Sequence, residues 1–343
     1  MRRTIIVALA LAVLLGTSPG VALAWCNGPT KNGQVGSGYG THDWILDQAI
    51  KQAGPDGAWV LRRTALLATD DPDSAKWPAA TQHYNETGSC RGAPQTVSDL
   101  YHKAIVAYRA GDMVAASRFL GQLAHCYSDV MQPFHASSAS NGYKSLHIRY
   151  EWAVDDRQNT STKSLSWLTR RPIATVTDIR TKTIDAALYS RSCFPSLLSS
   201  YKASRSVSGG TPLRITKRVM SRAVNDLADI VASIPTGAGE AEAPSTVDMG
   251  LTRTDPRPDD RVGAWVRCLD ASGAPMNAVG VRFVWHLPDG DVSTMSYTDA
   301  NGYICRYQNI GDAPVGQPLS VATIVTVSGA TTTTERTFTP TSR

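Results

Sequence analysis

The chain has 343 residues, more than one ordinary core supports, so two domains are expected. Its formal charge of +5 is too small to be a nucleic-acid signature by itself. Its six cysteines form no C-x-x-C pair, which argues against a thiolate zinc site.

Residues 1–24 read as a secretory signal peptide. Arg2 and Arg3 form a basic start, Ile5 to Leu15 an apolar run, and Ala22-Leu23-Ala24 a small-x-small cleavage site. The apolar run is short of the roughly 18 to 20 residues that a membrane span needs. An uncleaved anchor is therefore the weaker reading, and Sec export fits better than twin-arginine export. Cleavage after Ala24 removes two arginines and no acid, taking the formal charge from +5 to +3, and leaves Trp25 as the first residue of a secreted protein. No later stretch is long and apolar enough to span. The cysteines, Cys26, Cys90, Cys126, Cys193, Cys268 and Cys305, favour disulfides in an exported chain, with Cys268 expected to pair with Cys305. The connectivity of the other four stays open.

Residues 25–235 read as all-helical. After a Gly-rich arm, Thr41 caps a helix with an apolar stripe at Trp44, Ile45, Ala49 and Ile50. A second helix runs from Trp59 to Ala68. The segment from Pro72 to Pro94 lacks periodicity and reads as a long loop carrying His83. Further helices are expected over Val97 to Arg109, from a cap at Gly111-Asp112 to a stop at Pro133, over Ser145 to Asp155, over Ile179 to Ser200, and over Ile215 to Ile234. Residues 236–252 are small and polar and read as a linker. From 253 to 343 the periodicity becomes two. Six strands are expected, at Val262–Cys268, Val279–His286, Val292–Tyr297, Tyr303–Tyr307, Leu319–Val327 and near Thr333–Thr339, divided by Gly-containing turns. They predict a small all-β, immunoglobulin-like sandwich.

The chemistry concentrates in Q-L-A-H-C-Y-S-D-V-M-Q-P-F-H, Gln122 to His135. His125 and Asp129 are four residues apart, on one helix face. His147 and Glu151 repeat that spacing, and His135 lies between the two pairs. One such pair is ordinary as a hydrogen-bonded couple. Two pairs with a histidine between them are hard to explain as packing, and imidazole with carboxylate is a zinc ligand set. Of the remaining histidines, His102 reads as an ordinary mid-helix residue and His286 as a strand residue of the second domain. The residues alone reach as far as a multi-zinc hydrolase acting on phosphate esters.

The stretches T-H-D-W-I-L-D-Q-A-I, A-T-D followed by a loop to Q-H-Y-N, F-L-G-Q-L-A-H-C-Y-S-D-V-M-Q-P-F-H-A and L-H-I-R-Y-E, after Trp25, resemble the bacterial zinc-dependent phospholipase C family, the group with alpha-toxin-type enzymes. The resemblance implies three Zn2+ ions. Asp70, His83, His125 and Asp129 would hold one. The free amino terminus of Trp25 with His42 would hold a second, sharing Asp129. His135, His147 and Glu151 would hold the third. It also implies a phospholipid substrate, transient contact with a membrane surface and a monomer. Phosphatidylcholine-type lipids would be cut to diacylglycerol and a phosphorylated head group by a zinc-bound hydroxide, with Asp70 also orienting or deprotonating the attacking water.

The same superfamily includes secreted single-strand-specific zinc nucleases and nucleotidases, and only that alternative would bring a nucleic acid. Three features favour the phospholipase: the gap of 17 from Trp25 to His42, the gap of 12 from His135 to His147, and Glu151 in place of Asp. Choline-preferring relatives carry aromatic residues where this chain has Asp71 and Ala80, which leaves the head group open; Trp77 and Tyr84 are nearby substitutes. A third reading is a zinc-stabilised surface-binding module of little activity.

Overall fold

The computed structural model describes Trp25 and residues 39–73, 92–160 and 167–342. The expected signal peptide, His83, Trp77, Ala80, Tyr84, Cys26 and Cys90 lie outside the described residues.

Among the described residues seven α-helices precede seven strands: α1 Thr41–Ala53, α2 Arg62–Ala68, α3 Ala93–Arg109, α4 Met113–Met131, α5 Lys144–Thr160, α6 Ile179–Ser204 and α7 Gly210–Ser233. The helix predicted from Trp59 starts at Arg62, because a short 3-10 turn at Gly54–Gly57 delays it. The first helix is capped by Gly40 and not by Thr41. The Gly40 N–H donates to Asp43 Oδ2 at 2.9 Å, which leaves Thr41 inside the first turn with its hydroxyl directed at Asp155.

Helix α4 is the axis of the helical region. Asp112 caps it by accepting from the Ala115 N–H, and every residue from Leu120 to Met131 is buried. A helix buried all round carries its polar residues into the interior only when they are paired or ligating. Gly121 sets its closest neighbour: a Cβ there would collide with the Ala65 carbonyl. The glycine thus lets α2 lie directly on α4, and the chain leaving α2 passes beside His125. At the other end Gln132 is extended, as a residue before proline must be, and α4 stops at Met131.

The β region consists of two antiparallel sheets, β1-β2-β5 and β4-β3-β6-β7, with the core between them. Its strands are β1 Thr246–Leu251, β2 Arg261–Leu269, β3 Gly280–Leu287, β4 Gly290–Tyr297, β5 Tyr303–Asn309, β6 Leu319–Val327 and β7 Ala330–Phe338. Strand β1 falls within the expected linker. Its only fully buried residue is Met249, so it shows no alternation, and its pairing with β2 defines it. Side-chain bonds join the two regions: Gln95 on α3 accepts from the Gly280 N–H and donates to the Thr326 carbonyl.

The expected Cys268–Cys305 disulfide does not form; Cys126, Cys193, Cys268 and Cys305 are free thiols. Register explains this. Cys305 lies opposite Trp265, three residues from Cys268 on β2. Odd spacing on a strand reverses the face, so Cys268 enters the core while Cys305 lies on the outer side.

Candidate metal centre

Two groups of ligand-type side chains lie together in the helical region: His42, His125 and Asp129, and His135, His147 and Glu151. Helix α1 supplies His42, α4 supplies His125 and Asp129, the exit after Pro133 supplies His135, and α5 supplies His147 and Glu151. His42, His125, Asp129, His135 and Glu151 are buried, while His147 is partly open to solvent.

In the first group His125 Nδ1 donates to the Thr69 carbonyl at 2.7 Å, because a carbonyl can only accept. That bond turns Nε2 toward Asp129 Oδ2 at 3.4 Å and Asp73 Oδ1 at 3.5 Å. His42 is oriented the same way. Ser128 Oγ gives its proton to the Ala124 carbonyl at 2.6 Å, so it accepts from His42 Nδ1 at 2.7 Å. His42 Nε2 then faces Asp129 Oδ1 at 3.5 Å, and the two imidazoles stack with centroids 4.0 Å apart. His125 Nε2 and both Asp129 oxygens are buried with no hydrogen-bond partner.

This arrangement fits zinc. Nitrogen lone pairs aimed at carboxylates repel unless a cation lies between them. Charge-assisted N–H···O bonds close to about 2.7–2.9 Å, and these separations are longer. Ligand bonds of about 2.0–2.2 Å in a tetrahedron place neighbouring ligand atoms about 3.3–3.6 Å apart, which matches 3.4–3.5 Å. In the chain alone a proton answers the same electrostatic demand. Burial pulls the His125 pKa down, but the Asp73 and Asp129 carboxylates outweigh it and hold it at about 9. Burial also pushes Asp73 up to about 6, against the pull of His125.

The second group converges on one oxygen. Glu151 Oε1 lies 2.7 Å from His147 Nε2, 3.2 Å from His135 Nε2, 2.9 Å from Gln132 Nε2 and 3.2 Å from the Trp25 nitrogen, while Oε2 is buried without a partner. Burial alone would raise the Glu151 pKa, yet His147 and His135 bring it down to about 2. Phe134 stacks on His147 with ring centroids 5.2 Å apart. The groups are contiguous, for His135 Nδ1 lies 3.8 Å from Asp129 Oδ2.

The acids at the end of α2 differ from expectation. Asp73, which is not among the expected ligands, is the one whose carboxylate lies 3.5 Å from His125 Nε2. Asp71 turns outward to Gln122 and Arg118. Asp70 has a buried Oδ1 without a partner, and burial, with Asp43 adding to it, raises its pKa to about 7. The signal was the crowding of three acids in D-D-P-D, where spacing does not distinguish them. Trp25 is buried and reaches the site, but its backbone nitrogen meets Glu151, whereas the expectation puts it with His42. Gln132 and Ser128, which orient ligands, carried no sequence signal beyond lying near them.

Residues 41–203 match the family model described as zinc dependent phospholipase C. Among solved structures the chain is similar to the alpha-toxin of Clostridium perfringens from avian strain SWCP, at 12% identity and a TM-score of 0.44, and to the alpha-toxin of Clostridium absonum, at 13% and 0.45. Each match covers 87% of this chain and 97% of the other. No curated protein matches the sequence. No helix among the described residues is long and apolar enough to cross a membrane. Over residues 41–203, the helical region that carries both ligand groups, the chain is similar to the zinc dependent phospholipase C family.

Proposed function

We propose that the protein is a secreted phospholipase C that uses three zinc ions to hydrolyse the glycerol-side phosphoester of phosphatidylcholine-type lipids, releasing diacylglycerol and a phosphorylated head group. The observation that carries this reading is Asp129. Its two buried oxygens face different histidines, Oδ1 toward His42 and Oδ2 toward His125, as a carboxylate shared between two ions would. His125, Asp129, Asp73 and His83 would hold one ion, His42 with Trp25 and Asp129 the second, and His135, His147 and Glu151 the third. Asp73 thus takes the ligand role first expected of Asp70, because its oxygen is the one 3.5 Å from His125.

Bound zinc supplies Lewis-acid polarisation of phosphoryl oxygens and lowers the pKa of water. The protein's own contribution is orientation. Thr69 and Ser128 hold the Nδ1 atoms of His125 and His42, so both Nε2 lone pairs converge. Gln132 anchors Glu151. Burial keeps water away from these groups and strengthens their electrostatics. Asp70 remains the candidate to orient the attacking water. With Asp73 as ligand, the next residue is Ser74 in place of Asp71. Neither is aromatic, so choline is not favoured over smaller head groups at that position. Contact with the lipid surface is transient, and the working unit is a monomer.

The test uses mature protein beginning at Trp25. Bound zinc is counted, and hydrolysis of phosphatidylcholine is compared with that of single-stranded DNA. About three zincs with lipid cleavage supports the proposal. DNA cleavage without lipid cleavage would move the chain to the nuclease reading, and zinc without either activity would leave a binding module. One extra residue before Trp25 is expected to cost a zinc; three zincs and full activity in that form would refute the terminal chelate.

A further inference from the structure

A cavity lies away from the metal groups. It has a volume of about 950 Å3 and is bounded by α6, α7 and the chain from Trp167 to Arg171. Among the described residues five cations line it, Arg171, Arg214, Lys217, Arg218 and Arg222, against one acid, Asp226. Asp226 accepts from Tyr127 at 3.0 Å. Tyr127 lies on α4 between His125 and Asp129, two residues from each, so it leaves the helix on the opposite side from both. The body of α4 separates the cavity from the metal groups.

The cations are not equivalent. Arg171 and Arg222 bond to Asp226, and Arg171 also bonds to Asp229. Among the described residues no carboxylate pairs with Arg214, Lys217 or Arg218. Arg214, Arg218 and Arg222 follow one another at four-residue spacing on α7, an arrangement in which like charges repel and weaken the helix. Tyr189 on α6 fixes two of them: the Arg222 guanidinium lies 4.5 Å and that of Arg218 5.9 Å from its ring centroid. The cavity therefore gathers unneutralised donors around a wall that includes Trp167 and Leu213.

We propose that this cavity is a binding site, separate from the metal centre, for a phosphate-bearing anion with a small organic body. Guanidinium and ammonium donors match phosphate oxygens, and the volume is that of a small organic ligand and too large for a bare ion. A phosphocholine head group is disfavoured because its ammonium would meet the same cations. The chemistry suits either a free phosphate ester or the head group of an anionic phospholipid. The site does not depend on the hydrolytic activity proposed above.

The zinc-loaded mature protein beginning at Trp25 is titrated calorimetrically with glycerol 3-phosphate. Its sedimentation with vesicles of pure phosphatidylcholine is compared with that on vesicles also containing phosphatidylglycerol. Both measurements are repeated on Arg214→Gln/Lys217→Gln/Arg218→Gln and on Arg214→Gln alone, with zinc content and circular dichroism as controls for folding. Affinity is expected to fall about tenfold or more in the triple variant and less in the single one, since charge-assisted bonds are lost. Hydrolysis of a water-soluble substrate should be unchanged. A variant-sensitive effect with glycerol 3-phosphate assigns a free phosphate ester. A variant-sensitive effect only with the anionic vesicles assigns a lipid head group. Binding at the metal centre would survive the substitutions, so equal affinity of the triple variant and the wild type for both probes, or no binding of either probe to the wild type, overturns the proposal.

Discussion

Ser128 Oγ and His42 Nδ1 are 2.7 Å apart, and the hydroxyl proton is committed to the Ala124 carbonyl at 2.6 Å. The imidazole must therefore donate through Nδ1 and keep its Nε2 lone pair for the interior. Removing the hydroxyl in Ser128→Ala is expected to weaken zinc binding about 10- to 100-fold, the usual effect of losing a bond that orients a histidine ligand. Chelator competition measures it, and an unchanged zinc affinity would mean that the bond does not orient His42.

Asp73 and Asp70 make opposite predictions. Asp73→Asn is expected to lower the zinc content of the purified protein by about one ion, because the lost charge lies against His125. Asp70→Asn should retain its zinc and lose turnover, as expected of a residue that orients water. Metal analysis and initial rates on the same preparations distinguish the two, and zinc loss from Asp70→Asn with none from Asp73→Asn would reverse the assignment.

Gly121 allows α2 and α4 to touch. In Gly121→Ala the new methyl would strike the Ala65 carbonyl. Backbone cannot give way as a flexible side chain can, so the helices must separate, with a cost of about 1–3 kcal/mol. The shift would also carry Thr69 away from His125, lowering zinc affinity along with stability. Thermal unfolding with and without a chelator is the measurement; equal stability to wild type would show that α2 relaxes freely.

Asp229 links stability to pH away from the metal groups. Burial raises its pKa, but Arg171, the Ala174 N–H and Lys182 outweigh that and hold it below the ordinary value. The folded-state pKa is depressed, so the contribution is present above the unfolded value near ~3.9 and disappears as pH falls through the folded one. Asp229→Asn is expected to cost about 2 kcal/mol at pH 7, a figure reduced for the partial exposure of Arg171 and Lys182. Urea unfolding of chelated protein should show the gap between variant and wild type narrowing toward pH 3. A gap independent of pH would contradict the ion-pair account.

Much was readable in order along the chain. Four-residue spacing on α4 and α5 placed His125 with Asp129 and His147 with Glu151, because a helix returns to the same face every turn whatever surrounds it. Helix and strand periods also separated the two regions. Contacts between segments were not readable. Which acid of D-D-P-D meets His125 depends on how α2 lies on α4, and that depends on the absence of a side chain at Gly121. Strand β1 had too few buried positions to show a period, and Cys268 and Cys305 were separated by register. The unpaired cations on α7 became a cavity only when Tyr189 and Trp167 were brought against them. Local periodicity follows from backbone geometry, which any short stretch carries within itself. The partners of a buried carboxylate, thiol or guanidinium come from distant segments, and packing alone decides which of them arrive.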